Sequence, residues 1–195
     1  MVLVFASNNA HKLSEVRAIM PEGIEVLSLK DIGFESEIEE TGKTLEENSR
    51  IKARCVFEWL RANSEWREVD GVFADDTGLE IDALGGAPGV YTARWAGEPA
   101  ANRKKALQEL ANKDDQSCQF RTVITLIRQA SEIQVEGIVR GRIAEEEFGE
   151  GGFGYDPLFI PDGYDKTFGE LPAELKNSIS HRARALKALV KVLNA

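Results

Sequence analysis

The chain has 195 residues, 43% hydrophobic and 29% charged, which is enough for a folded domain with its own core. A net charge of −9 argues against a nucleic-acid polymer as partner, but a small anion remains possible where a basic cluster or a metal receives it. No apolar run approaches the roughly 20 residues of a membrane span, and the start, MVLVFASNN, lacks the features of a signal peptide, so the expected location is the cytoplasm.

Residues 2–6 predict a buried strand, and Ser7-Asn8-Asn9 is a turn with helix-capping chemistry. Leu13, Val16, Ile19 and Met20 follow at helical spacing until Pro21 and Gly23 stop them, and residues 24–29 predict a second strand. This opening is a β-α-β pattern and points to an α/β fold. Residues 30–43 are loop-like and acidic. Thr44 precedes Glu47 by three positions, a capping-box signature, and opens a long helix with Leu45, Ile51, Cys55, Val56, Trp59 and Leu60 on its apolar side.

Residues 69–74 predict a buried strand ending at Asp75-Asp76-Thr77-Gly78, residues 79–84 another strand, and GGAPG at 85–89 a turn. Residues 101–111 read as helix. Residues 118–128 and 133–143 alternate as two long strands joined by a short polar link, a hairpin that argues against a purely parallel sheet. After the Gly-rich loop at 149–157, one last helix is expected to share Ile179, Leu186, Leu189, Val190 and Leu193 on a face. Without repeats or a linker, the expectation is a single domain over 1–195 with a mixed sheet. Cys55 and Cys118 form no CxxC pair and read as buried reduced thiols.

Five stretches could carry chemistry, each with a plainer alternative. Residues 7–12, SNNAHK, put a helix N-terminus and Lys12 where a phosphate could bind, or they are a capped surface helix. Asp75 and Asp76 at a strand end could hold Mg²⁺ and accept a proton from water, or form an Asp-rich turn. Glu40 stands out of the acidic run because Thr41-Gly42 could turn it toward that pair; its neighbours read as solvated charges. In GGFGYDP, residues 151–157, Phe153 and Tyr155 could stack on a base or pack on the core. Lys176, His181, Arg182 and Arg184 make a basic cluster in an acidic chain, or a solvated helix face.

These stretches, ASNNAHKLSEV, ETGKTLEENSRIKA, ADDTGLEIDALGGAPGVYTARWAG, GGFGYDPLFIP and LKNSISHRARAL, resemble the inosine triphosphate pyrophosphatase family in its order over nearly the whole chain. The resemblance implies an elongated α/β fold, a mixed β-sheet flanked by helices with two lobes around a nucleotide cleft, and a homodimer. It also implies hydrolysis of ITP, dITP and XTP to monophosphate and pyrophosphate with Mg²⁺, clearing deaminated purines from the nucleotide pool. Carried over by position, Glu40 and Asp76 are the metal ligands and Asp76 is also the catalytic base. The substrate contacts are Ser7, Asn8, Asn9, Ala10, His11, Lys12, Lys52, Thr77, Phe153, Gly154, Tyr155, Asp156, Lys176, His181 and Arg182. One departure is visible: relatives often read T-G-N-x-x-K where this chain has SNNAHK, so Asn8 stands in the place of Gly. Two rival readings are a phosphatase releasing orthophosphate and a nucleotide sensor without catalysis.

Overall fold

The computed structural model describes residues 1–63, 68–129 and 131–194. In chain order the elements are β1 (Val2–Phe5), α1 (Ala10–Ile19), β2 (Glu25–Leu27), α2 (Leu45–Ala62), β3 (Gly71–Ile81), β4 (Pro88–Gly89), α3 (Pro99–Leu110), β5 (Ser117–Arg128), β6 (Ser131–Ile143), β7 (Phe159–Pro161), α4 (Ala173–Ile179) and α5 (His181–Leu193). The strands are ordered β2-β1-β3-β5-β6-β7, with β4 paired to β3. β1 runs parallel to β2 and β3, whereas β4 and β7 pair antiparallel with β3 and β6, so the sheet is mixed as expected. The hairpin is β5–β6; its link includes Ala130, which lies outside the described residues.

The chain divides into two compact units. The first comprises 1–76, 122–137 and 183–195, and the second 77–121 and 138–182. In the first, the period-2 alternation of β1 and β3 sends Leu3, Phe5 and Phe73 to one face, against Val16 of α1 and Leu186 and Leu189 of α5. Val4, Ala6, Val72 and Ala74 face the other way, against Ala53, Val56 and Leu60 of α2. Helices therefore cover both faces of β1 and β3, and this explains why their apolar runs are nearly continuous.

α2 begins where its capping box predicts: the Glu47 amide donates to Thr44 Oγ1 at 3.1 Å. The Glu47 carboxylate accepts from the Lys43 amide at 2.5 Å, one residue before the donor that the motif prescribes. Its buried face differs from expectation. Asn48, Ser49 and Lys52 are buried along with Leu45, Ala53, Val56 and Leu60, while Ile51, Cys55 and Trp59 are half-buried. Polar partners make this burial possible; Ser49 Oγ lies 2.7 Å from Thr125 Oγ1.

The second unit has its own core of Leu79 and Ile81 from β3, Leu110 from α3, Phe120 from β5, Val139 from β6 and Phe159 from β7. Cys118 is buried there as predicted, whereas Cys55 is half-buried. Two predicted boundaries are corrected. β3 does not stop at Ala74 but continues through Asp75 and Asp76 to Ile81, joining what read as two strands. The last helix is two helices, broken where Ser180 is extended at φ −65°, ψ 162°. Ile179 accordingly packs on the second unit's core, and Leu186, Leu189 and Leu193 pack on the first's. Among the described residues no helix is long and apolar enough to cross a membrane.

Candidate active site

The two adjacent carboxylates receive different partners because they lie in a strand. Asp75 shares the face of Phe73, toward α1, and Asp76 shares the face of Val72 and Ala74, toward α2. Asp75 is 1% exposed and takes Lys12 Nζ of α1 at 2.9 Å. Asp76 takes Lys52 Nζ of α2 at 3.3 Å, and the same ammonium reaches Glu40 Oε1 at 2.6 Å. One lysine thus joins the two carboxylates expected to hold metal. β1 ends at Phe5, opposite Phe73, so the cluster still stands at the carboxyl end of a parallel strand, although that strand is β1 and not β3.

The carboxylates of Asp75, Asp76 and Glu40 stand here against the ammonium groups of Lys12 and Lys52. Burial pushes the Asp76 carboxyl above the usual carboxylate range, with Lys52 and Lys12 pulling the other way and Glu40 and Asp75 adding to the rise. For Lys52, burial favours the neutral amine, but the charges of Asp76, Glu40 and Asp75 together outweigh it and raise its pKa. Lys52 is therefore a cation at neutral pH.

The donor set fits a hard divalent cation. Asp76 Oδ2 is fully buried and has no hydrogen-bond partner among the described residues, a position that a cation would satisfy. Among the described residues no three or more His, Cys, Asp or Glu side chains gather into a metal cage. Mg²⁺ needs none, because it takes one or two carboxylates and completes its shell with water and substrate phosphate.

Ser7 and Asn9 serve α1 locally. The Asn9 amide donates to Ser7 Oγ at 3.2 Å, and Asn9 Oδ1 caps the helix by accepting from the Lys12 amide at 3.1 Å. Asn8, Asn9, Ala10 and His11 are exposed. The helix is capped, as the plainer alternative expects, but Lys12 is not on its solvated side and turns inward to Asp75.

The second unit gathers the other predicted residues. Asp156 Oδ2 accepts from the Phe153 amide at 2.7 Å and from Lys176 Nζ at 2.5 Å. Gly152, at φ +70°, is required there, because any Cβ would run into the Asp156 carboxylate. The Phe153 ring is half-exposed, with Lys176 Nζ 5.0 Å and Arg182 Cζ 5.8 Å from its centroid. Arg182 is 1% exposed and donates to Thr77 Oγ1 at 3.2 Å. The basic cluster is therefore divided: Lys176, His181 and Arg182 are buried, and only Arg184 lies on a solvated face. His181 stacks on Phe120 at 4.5 Å. Tyr155 is a core residue, with its hydroxyl donated to the Thr92 carbonyl at 3.1 Å. Of the two aromatics, only Phe153 presents a ring.

Sequence reasoning missed Arg103, which donates to the Gly154 carbonyl at 2.9 Å and so braces the loop carrying Phe153. It also missed Asn48, although its position one helical turn before Lys52 was a usable signal.

The fold and these clusters define a class already represented among solved structures. The Staphylococcus aureus Ham1 protein matches with a TM-score of 0.85 at 38% identity, over 100% of this chain and 98% of that one. A nucleoside-triphosphatase / dITP/XTP pyrophosphatase from Mycobacterium abscessus matches with a TM-score of 0.73 at 38% identity, over 97% and 98%. Curated dITP/XTP pyrophosphatases are also similar. That of Flavobacterium johnsoniae is 46% identical over 198 residues, covering 100% of this chain and 99% of the relative. That of Bacillus subtilis is 47% identical, covering 98% and 96%. The Ham1 family model matches residues 3–192, and the chain belongs to the Ham1 family.

Proposed function

We propose that this chain is a nucleoside triphosphate pyrophosphatase that hydrolyses ITP, dITP and XTP to the monophosphate and pyrophosphate. The observation that carries this reading is the buried Asp76, tied to Glu40 through Lys52 and keeping one carboxylate oxygen unsatisfied. Glu40 and Asp76 would hold Mg²⁺, which would supply charge neutralisation along the phosphate chain. Asp76 accepts the proton of the water that attacks the α-phosphorus, a task suited to a carboxyl whose pKa burial has raised. The α–β P–O bond breaks, and pyrophosphate leaves with the bonding pair. Lys12 and Lys52 stabilise the charge that develops on it.

Phe153 stacks on the purine, and Arg182 and His181 donate to the oxygen at purine position 6, where adenine carries an amino group instead. By its resemblance to the family, the chain works as a homodimer in the cytoplasm. The deciding experiment follows ITP and Mg²⁺ by phosphorus NMR. IMP and pyrophosphate are the expected products, and IDP with orthophosphate as primary products would overturn the reading.

A further inference from the structure

Glu40 lies on a loop, and a carboxylate on a loop holds metal well only if something fixes its backbone. Two consecutive amides just beyond it are pinned to the start of α2. The Gly42 amide donates to Asn48 Oδ1 at 2.8 Å, and the Lys43 amide donates to Glu47. Asn48 is 0% exposed and lies one turn before Lys52, which grips the Glu40 carboxylate itself at 2.6 Å. The helix therefore holds this segment at three points, the backbone through Asn48 and Glu47 and the Glu40 side chain through Lys52.

The contact admits no slack. A Cβ on Gly42 would stand 2.6 Å from Asn48 Oδ1 and 2.7 Å from Glu47 Cβ. Asn48 Nδ2 is buried and has no hydrogen-bond partner among the described residues. Turning the amide over would only aim that donor at the Gly42 donor. The Nδ2 donor meets nothing among the described residues, so the value of this amide lies in its oxygen, which satisfies the Gly42 amide.

Building on the reading of Glu40 as a metal ligand, we propose that Asn48 is a positioning residue for the metal site, holding the Gly42 amide and thereby fixing where the Glu40 carboxylate stands. Its loss acts on metal affinity before it acts on substrate affinity. The test uses the full chain with Asn48→Leu, Asn48→Asp, Gly42→Ala and Glu40→Gln. It reads hydrogen exchange at the Gly42 amide, Mn²⁺ binding by electron paramagnetic resonance without nucleotide, and the Mg²⁺ concentration for half-maximal ITP hydrolysis.

In Asn48→Leu the Gly42 amide should lose protection and both metal readouts should weaken about 10-fold or more, while KM for ITP at saturating Mg²⁺ changes little. Asn48→Asp, which keeps an acceptor, should restore protection and most of the metal affinity. Gly42→Ala strikes the same contact from the other side. It should reproduce the loss and carry the test alone if the leucine variant does not fold. Lost Gly42 protection with unchanged metal affinity would overturn the proposal while leaving Glu40 as a ligand. Unchanged metal binding in Glu40→Gln would instead overturn the metal reading itself.

Discussion

Lys52 offers the sharpest test of how the carboxylate cluster is balanced. Its ammonium stands 2.6 Å from Glu40 and 3.3 Å from Asp76, and its side chain is 9% exposed. At an effective dielectric of about 20, unit charges at such distances attract by roughly 5–6 kcal/mol each before desolvation is subtracted. Lys52→Met keeps the stem and removes the charge. Removing one partner of a buried pair costs about 3–5 kcal/mol, because the other charge is left buried and uncompensated. Asp76 is 10% exposed and incurs that cost nearly in full, but Glu40 is 32% exposed and partly screened by water. The net value should therefore sit near the lower limit, about 3 kcal/mol. In a chain of this length about 1 kcal/mol moves Tm by roughly 2–4 °C, so a fall of about 6–12 °C is expected at neutral pH and low salt. Mg²⁺ returns positive charge to the same carboxylates, and it should raise Tm more in Lys52→Met than in the parent protein. Thermal unfolding followed by circular dichroism, with and without Mg²⁺, measures both effects. An unchanged Tm in Lys52→Met under both conditions would refute the reasoning, because it would mean that Asp76 and Glu40 do not depend on this cation.

Asp76→Asn should lower kcat by about 10²–10⁴-fold through loss of the base alone, with weaker Mn²⁺ binding and an intact circular dichroism spectrum; near-normal turnover would move the role elsewhere. Arg182→Ala should lower kcat/KM for ITP far more than for ATP, and the ratio of the two is the measurement to make because it cancels any change in the folded fraction of so buried a residue. Equal losses would assign Arg182 to the phosphates or the fold. Asp31 gives a pH prediction away from the active site: the Ser28 backbone amide donates to its carboxylate at 2.8 Å, and this bond, with the Ser28 hydroxyl and Arg17, holds it below the usual range. The stability it contributes is full above the ordinary aspartate pKa, about 3.9, and fades as pH falls through the lower folded value. Asp31→Asn should flatten that part of the stability-versus-pH curve, and an unaltered acid limb would show that Asp31 contributes nothing to it.

What the sequence determined by itself was local. Thr44 and Glu47 announce the start of α2 because capping chemistry needs only neighbours, and the alternation of 118–128 and 133–143 announces the hairpin for the same reason. The motif residues identified the family and named Glu40, Lys52 and Asp76. Tertiary structure decided what those residues touch. Asp75-Asp76 read as a strand terminus because two acids rarely continue a buried strand; they do so here because Lys12 and Lys52 arrive from helices 63 and 24 residues away in the chain. The pleat then divides the pair between α1 and α2, an assignment no linear pattern contains. Tyr155 and Phe153 are both aromatics beside glycine, yet one enters the core and the other keeps its ring half-exposed, because Asp156 holds the turn between them with Lys176 from α4. Asn48, Ser49 and Lys52 are not on the apolar side that the spacing predicts for α2, yet they are buried along with Leu45, Ala53, Val56 and Leu60. Hydrophobic periodicity records which residues avoid water, but not that Ser49 and Lys52 are buried against partners 76 and 24 residues away, Thr125 and Asp76.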